Sequence, residues 1–123
     1  MRLAPLVAVV DDDESVRESL PDLLKTAGYA VVVFASAEAF LASGAADRAA
    51  CLVLDVYMPQ MSGPALQEEL ARGHRAPPLV FMSARMDAEL SRELIARGAA
   101  DCLFKPFSGE AMLDAIAAAI GTR

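Results

Sequence analysis

The sequence predicts a doubly wound α/β fold, in which helices cover both faces of a five-stranded parallel sheet. Five short apolar runs alternate with five stretches of helical periodicity, as in repeated strand–helix units. Each run is almost continuously hydrophobic, as expected for a strand that is covered on both sides. The 123 residues are enough for one core and too few for two, so we expect residues 1–123 to form a single domain.

The predicted strands are bounded by turn-forming or charged residues. The first lies in a short apolar stretch that stops at four consecutive acidic residues. We therefore expect a strand there rather than a signal peptide or a membrane span. In chain order, the strands run from Leu6 to Val10, Ala30 to Phe34, Cys51 to Leu54, Leu79 to Met82 and Asp101 to Phe104.

The predicted helices begin at capping residues or a proline and end at glycines. In chain order, they extend from Asp13 to Ala27, Ser36 to Gly44, Pro64 to Gly73 and Asp87 to Gly98, and the fifth carries Met112, Leu113, Ile116 and Ile120 on its inner face before Gly121. The connections are short, which leaves no room for a linker or an internal repeat.

The overall charge argues against one class of partner. The formal net charge is −6 and the sequence pI is about 4.6, which would repel a phosphate backbone, so direct binding of nucleic acid is not expected. The two cysteines, Cys51 and Cys102, lack the spacing of a metal or redox pair and are predicted to be small buried apolar residues.

Side chains that could perform chemistry follow four of the predicted strands. In an open parallel sheet, ligand sites lie beyond the carboxyl ends of the strands. Each such residue alone has a plain structural explanation, since an acidic run before a helix usually caps it. Together they place hard oxygen ligands beside an ammonium group. They are Asp11, Asp12 and Asp13 after the first strand, Asp55 after the third, Ser83 after the fourth and Lys105 after the fifth.

This set of groups indicates magnesium-dependent phosphoryl chemistry. Clustered carboxylates stay ionised together only when a cation compensates them. Mg²⁺ suits them because it prefers oxygen ligands and commonly binds through one or two carboxylates and phosphate oxygens. A carboxylate could then attack phosphorus and form an acyl phosphate, while the metal ion and Lys105 neutralise the phosphoryl oxygens.

Four segments carry a resemblance to the receiver domains of two-component response regulators. They are VVDDDESVR at 9–17, LDVYMP at 54–59 with MSG at 61–63, MSA at 82–84 and KPF at 105–107. The segment SAEAFL at 36–41 is most similar to receivers of LuxR-type transcriptional regulators. The resemblance covers essentially the whole chain and implies a flavodoxin-like (βα)5 fold with the strand order 2-1-3-4-5.

The resemblance also implies a role for each site residue. Asp55 would be the phosphoacceptor and would take the phosphoryl group from a phosphohistidine of a sensor histidine kinase. Ser83 and Lys105 would bind the phosphoryl oxygens, and the Lys105–Pro106 peptide bond would be cis. The Mg²⁺ ligands would be Asp12 and Asp55, with Asp11 mainly through water and the backbone carbonyl of Tyr57.

The resemblance further implies a cytoplasmic signalling domain rather than an enzyme with a separate substrate. Its own catalysis would be limited to Mg²⁺-dependent self-phosphorylation and autodephosphorylation. Phosphorylation would switch the surface of the fourth helix, fifth strand and fifth helix, which a C-terminal DNA-binding output domain or a second receiver could then recognise. No contact with a membrane is implied.

Some positions depart from the family pattern or tune it. Cys102 stands three residues before the lysine, where the family has an aromatic switch residue, so either that position stays open or another residue reports movement of Ser83. Tyr57 and Arg85 occupy positions that flank the path of hydrolytic water in the family, so the phosphoryl lifetime is expected to depend on both. In the family's strand order the fourth strand separates Cys51 from Cys102, so no disulfide is expected between them.

Other functions fit the sequence less well. A nucleotide-binding enzyme would need a glycine motif after the first strand, where the turn is Asp-rich. A dehalogenase-like phosphatase would need an acid–base Asp where Tyr57 stands. A Ser-His-Asp hydrolase would need a histidine near the strand ends, and the only one, His74, is predicted to be a solvated loop residue. A receiver-like docking module that works without phosphate stays open as the alternative, and Cys102 is the feature that favours it.

Overall fold

The computed structural model describes residues 4–73, 76–85 and 87–121. The strands are β1 (Leu6–Val10), β2 (Ala30–Phe34), β3 (Cys51–Asp55), β4 (Leu79–Ser83) and β5 (Asp101–Phe104). The helices that follow them are α1 (Glu14–Thr26), α2 (Ala37–Ser43), α3 (Gly63–Arg72), α4 (Ala88–Ala96) and α5 (Gly109–Gly121), with a short 3-10 helix at Ala45–Asp47.

The strands pair in parallel in the order β2-β1-β3-β4-β5. This order confirms the predicted flavodoxin-like α/β fold. The register places Val10 beside both Phe34 and Leu54, and Asp55 beside Met82. Because all the strands point the same way, their carboxyl ends form one edge of the sheet, which is the edge where ligand sites lie in this class of fold.

Helices cover both faces of the sheet, as predicted. On one face, α2, α3 and α4 contribute Phe40, Leu66 and Leu94 to the core. On the other face, α1 and α5 contribute Leu24 and Ile116. These side chains are fully buried, and each adds roughly 1.5–3 kcal/mol of hydrophobic stabilisation. The two packed layers hold the strand ends in fixed positions.

The helix ends follow the predicted caps with small shifts. Asp13 caps α1, as expected. The third helix starts at Gly63, one residue earlier than predicted, because the Ser62 hydroxyl accepts an amide hydrogen bond and caps the helix there. The fourth ends at Ala96, and Gly98, which was predicted to stop it, has a φ of +114° and lies in the turn that follows.

Cys51 and Cys102 are both free thiols, and β4 lies between the strands that carry them. The prediction that no disulfide joins them is therefore confirmed. Cys51 is fully buried, as expected, whereas Cys102 is only half-buried because it lies on an edge strand. None of the helices among the described residues is long and apolar enough to cross a membrane.

Candidate functional site

A cavity of about 230 Å³ opens at the carboxyl edge of the sheet. The strands β3 and β4 extend one residue further than predicted, so that Asp55 and Ser83 are their last residues. The structure brings all the predicted site residues together around this cavity. The lining residues are Asp11, Asp12, Asp13, Asp55, Tyr57, Ser83, Ala84, Arg85 and Lys105.

A larger cavity, of about 420 Å³, lies near the opposite edge of the sheet between α3 and α4. Alanine and proline side chains make up much of its described wall, and Gln67 and Arg97 are the polar side chains among the described residues that line it. None of these described lining residues carries a carboxylate or is a predicted site residue. The smaller, acidic cavity is therefore the candidate site.

Three carboxylates form the floor and rim of the candidate site. Asp11 follows β1 and is fully buried, Asp55 ends β3 and is 7% exposed, and Asp12 is exposed. Carboxylate oxygens of these three residues lie within 4.8 Å of one another. Because β1 and β3 are neighbours in the sheet, their ends bring Asp11 and Asp55 together although 44 positions separate them in sequence.

Lys105 is the cation of the site. It follows β5, and its Nζ atom donates to Asp11 Oδ2 at 2.8 Å and lies 3.5 Å from Asp55 Oδ1. Burial alone would lower the pKa of Lys105, but its hydrogen bond to Asp11 and the nearby charge of Asp55 outweigh burial and raise it. The Lys105–Pro106 peptide bond is cis, as predicted.

The electrostatics of the site leave room for another cation. Burial, and then the negative charge of Asp11, raises the pKa of Asp55 from 3.8 to about 6, although Lys105 opposes the rise. Four carboxylates line the cavity together with two cationic groups, those of Lys105 and Arg85, so two negative charges stay uncompensated when all are ionised. A divalent cation that prefers oxygen ligands would balance them, and the residues present therefore fit Mg²⁺.

Ser83, Tyr57 and Arg85 form the other side of the site. Ser83 is 1% exposed, and its Oγ accepts a hydrogen bond from the Arg85 backbone amide at 3.1 Å. The Arg85 guanidinium lies over the Tyr57 ring, 5.1 Å from its centroid. Sequence reasoning singled out both residues but did not foresee that they stack, because no pattern in the chain fixes the spacing of the two loops.

The turn between β1 and α1 contains contacts that sequence reasoning missed. The Asp13 amide donates to Asp11 Oδ1 at 2.9 Å, and Arg17 Nη1 donates to the Asp11 backbone carbonyl at 2.9 Å.

Gly63 was treated only as part of a motif, yet a Cβ atom there would overlap the Asp55 carbonyl oxygen. A glycine at the start of the helix that follows a functional strand is a signal that could have indicated this close approach.

Cys102 lies away from the cavity. It is opposite Phe81 in the sheet register, and its thiol lies 3.9 Å from the Ser91 carbonyl of α4. Phe104, two residues later, is opposite Ser83, and its side chain is 52% exposed. His74, predicted to be a solvated loop residue, lies outside the described residues.

Comparisons with known proteins agree on one family. The family profile described as response regulator receiver domain matches residues 7–117. Nodulation protein W of Bradyrhizobium diazoefficiens is 42% identical over 114 residues, which are 93% of this chain and 50% of that protein. Transcriptional regulatory protein FixJ of Azorhizobium caulinodans is 45% identical over 117 residues, which are 94% of this chain and 54% of that protein.

A solved structure shows the same fold. The crystal structure of FixJ-N superposes with a TM-score of 0.88 at 35% identity and covers 99% of this chain and 98% of that one. The chain therefore matches FixJ-N over almost the full length of both, whereas it spans about half the length of the curated relatives.

Proposed function

Because the chain belongs to the response regulator receiver domain family, we propose that it accepts a phosphoryl group on Asp55 in a Mg²⁺-dependent reaction. The observation that carries this proposal is the grouping of Asp55 with Asp11, Asp12 and Lys105 at the ends of separate strands. We further propose that residues 1–123 form one receiver domain.

Asp55 is the best nucleophile among the three carboxylates. Both carboxylate oxygens of Asp11 already accept hydrogen bonds, from the Asp13 amide and from Lys105. Asp12 is exposed and makes no ion pair with Lys105 in the described part of the chain. Asp55 faces the cavity, and Lys105 lies near enough to compensate an incoming phosphoryl group.

The acidic residues would hold Mg²⁺. Asp12, Asp55 and the backbone carbonyl of Tyr57 would supply direct ligands, and Asp11 would contribute through water because Lys105 occupies its Oδ2 atom. Bound Mg²⁺ would neutralise charge on the phosphoryl oxygens. Compensation of the carboxylates would also favour the ionised form of Asp55, which is the form that attacks phosphorus.

The transfer is a displacement at phosphorus. An Asp55 carboxylate oxygen forms the new P–O bond while the P–N bond of a sensor kinase phosphohistidine breaks, and the electron pair of that bond returns to the imidazole nitrogen. Lys105 then pairs with the phosphoryl group, and the Ser83 hydroxyl donates to one of its oxygens. Attack by water on the acyl phosphate regenerates the free Asp55 carboxylate and releases phosphate. The group that is phosphorylated and then hydrolysed is a residue of the domain itself rather than a separate substrate.

The proposed output is a change in the surface of α4, β5 and α5. Two large apolar side chains are about half exposed there, Ile95 on α4 and Phe104 on β5. The curated relatives are about twice as long as this chain, and several are named as transcriptional regulators. We therefore propose a LuxR-type receiver that acts in the cytoplasm through a DNA-binding output domain or a second receiver. The net charge of −6 disfavours direct contact with DNA.

The test is intact mass after incubation with Mg²⁺ and acetyl phosphate, with Asp55→Asn as the matched control. We expect one phosphoryl adduct that requires Mg²⁺ and is absent from the variant. A folded wild-type protein that forms no adduct would contradict the proposal and favour the docking module that works without phosphate, for which Cys102 is the supporting residue.

Tyr57 and Arg85 are proposed to control the lifetime of the acyl phosphate, because their stacked side chains line the cavity that water must enter. A cation–π contact at an exposed site contributes about 0.5–1 kcal/mol, so Tyr57→Ala and Arg85→Ala should each change the rate of dephosphorylation about two- to fivefold. Arg72→Ala removes an exposed arginine paired with Glu68 and Glu69, and serves as the control. Unchanged rates in both site variants would contradict this role.

A further inference from the structure

Arg17 occupies a position that is unfavourable for a cation. It is the fourth residue of α1, near the positive end of the helix dipole. It is half-buried, and among the described residues it makes no ion pair. Arg72, by contrast, pairs with two glutamates of α3, and Arg97, directly after α4, pairs with Glu93 of that helix. Neither the helix dipole nor a carboxylate partner therefore accounts for an arginine here.

The side chain of Arg17 instead binds the main chain of the candidate site. Its Nη1 atom donates to the backbone carbonyl of Asp11, six residues earlier, at 2.9 Å. This contact ties the first turn of α1 back to the residue that follows β1. The guanidinium therefore closes the turn that carries the acidic residues.

Arg17 is the hydrogen-bond partner of the Asp11 backbone carbonyl, and other residues bind the remaining polar groups of Asp11. The Asp11 amide donates to the Phe34 carbonyl, Oδ1 accepts from the Asp13 amide, and Oδ2 accepts from Lys105. Asp11 is fully buried, so a carbonyl oxygen without a partner would be unfavourable. With Arg17 in place, the amide, the carbonyl and both carboxylate oxygens of Asp11 each have a hydrogen-bond partner.

Arg17 contacts the site through the main chain, because its hydrogen bond goes to the Asp11 backbone carbonyl and not to a carboxylate oxygen. Charge alone would make Arg17 unfavourable for a divalent cation, because it adds a positive group near the site. A geometric role would instead raise the affinity for the cation, since a fixed Asp11 presents the metal with an ordered set of oxygens.

We propose that Arg17 is a positioning residue that orders Asp11 through its backbone carbonyl and so strengthens Mg²⁺ binding. This inference rests on the proposed function, because it takes the acidic cavity to be the Mg²⁺ site. Arg17 touches neither the metal nor the phosphoryl group and acts only through Asp11.

The test compares wild-type protein with Arg17→Met and Arg17→Lys. Hydrogen exchange of the Asp13 amide, measured by NMR without metal, reports the order of the Asp11 carboxylate. Calorimetric titration with Mg²⁺ reports affinity. We expect Arg17→Met to speed exchange at Asp13 about fivefold and to weaken Mg²⁺ binding about tenfold, which corresponds to about 1.4 kcal/mol. Arg17→Lys, which keeps one donor, should lie between wild type and Arg17→Met in both measurements.

Lys25→Met is the matched control, because it removes one positive charge from the exposed last turn of the same helix. It should leave both measurements unchanged. Tighter or unchanged Mg²⁺ binding in Arg17→Met would overturn the inference, as would an unchanged Asp13 exchange rate. If Arg17→Met does not fold, wild-type values in Arg17→Lys would overturn it. Wild-type protein that binds no Mg²⁺ would instead contradict the proposed function itself.

Discussion

Replacing Asp55 by Asn should stabilise the metal-free protein at neutral pH. The pKa of Asp55 is raised in the folded protein from 3.8 to about 6, first by burial and then by Asp11. An acid whose pKa is higher in the folded state than in the unfolded state contributes its full stability at a pH below the unfolded-state pKa. This contribution is lost as the pH rises through the folded-state pKa. The ionised carboxylate therefore destabilises the native state above about pH 6.

The size of the effect follows from the two pKa values. A rise from 3.8 to about 6 corresponds to at most about 3 kcal/mol of unfolding free energy. Asn has nearly the same shape and does not ionise, so Asp55→Asn should recover most of this at about pH 7.5. The gain should shrink below about pH 6, become small near pH 4 and vanish below about pH 3, where the wild-type carboxyl is protonated in both states.

Urea unfolding followed by circular dichroism, in EDTA and between about pH 4 and 8, would measure the difference. Asp22→Asn, on the exposed side of α1, reports the effect of the same substitution away from the cavity. Mg²⁺ should reduce the advantage of Asp55→Asn, because the metal stabilises the wild-type carboxylates. A variant that is no more stable than wild type at pH 7.5, or equally stabilised at pH 4, would refute the reasoning.

Three further predictions concern the surroundings of the site. Lys105→Met leaves buried carboxylates without their cation and should destabilise the metal-free protein by about 3 kcal/mol at pH 7.5; the loss should shrink below pH 6 as Asp55 becomes neutral, as urea unfolding would show. Gly63→Ala places a methyl group against the Asp55 carbonyl oxygen and should lower unfolding free energy by about 3 kcal/mol. A thiol reagent should modify Cys102 in the folded protein but Cys51 only on unfolding, because Cys51 is fully buried and burial raises its pKa to about 12.

Each of these predictions has a control within the chain. Arg97→Met removes an exposed cation paired with Glu93, and a loss as large as that of Lys105→Met would show that charge in general, rather than the site, is responsible. Gly109→Ala adds a methyl group that meets only the flexible Leu23 side chain, so its effect should be smaller than that of Gly63→Ala. Equal reaction rates of the two thiols would contradict the burial of Cys51.

The fold, and the set of residues that belong to the site, could be predicted from the sequence because both depend on local patterns. Apolar runs and caps located the strands and helices, and parallel strands necessarily bring their carboxyl ends to one edge. Asp55 and Ser83 were therefore assigned to the same site although they lie on different strands. Their inclusion within the strands was missed, because sheet pairing continues as long as backbone partners are available and no residue type marks its end.

The contacts between side chains within the site could not be predicted, because they depend on the exact positions of individual atoms. The stacking of Arg85 on Tyr57 requires two loops to approach within about the length of a side chain, which no spacing encodes. Arg17 was known only as part of a motif, since a long side chain can extend toward solvent or back to the main chain. The same limit applies to the order of hydrogen bonds around Asp11.

The contact between Asp11 and Lys105 joins residues 94 positions apart in the chain. Closing so long a loop is slow compared with forming a helix or a hairpin. During translation the aspartates of the site are also made long before Lys105, which lies in the last fifth of this sequence. The complete set of site residues therefore forms only after β5 has been made and has joined the sheet beside β4.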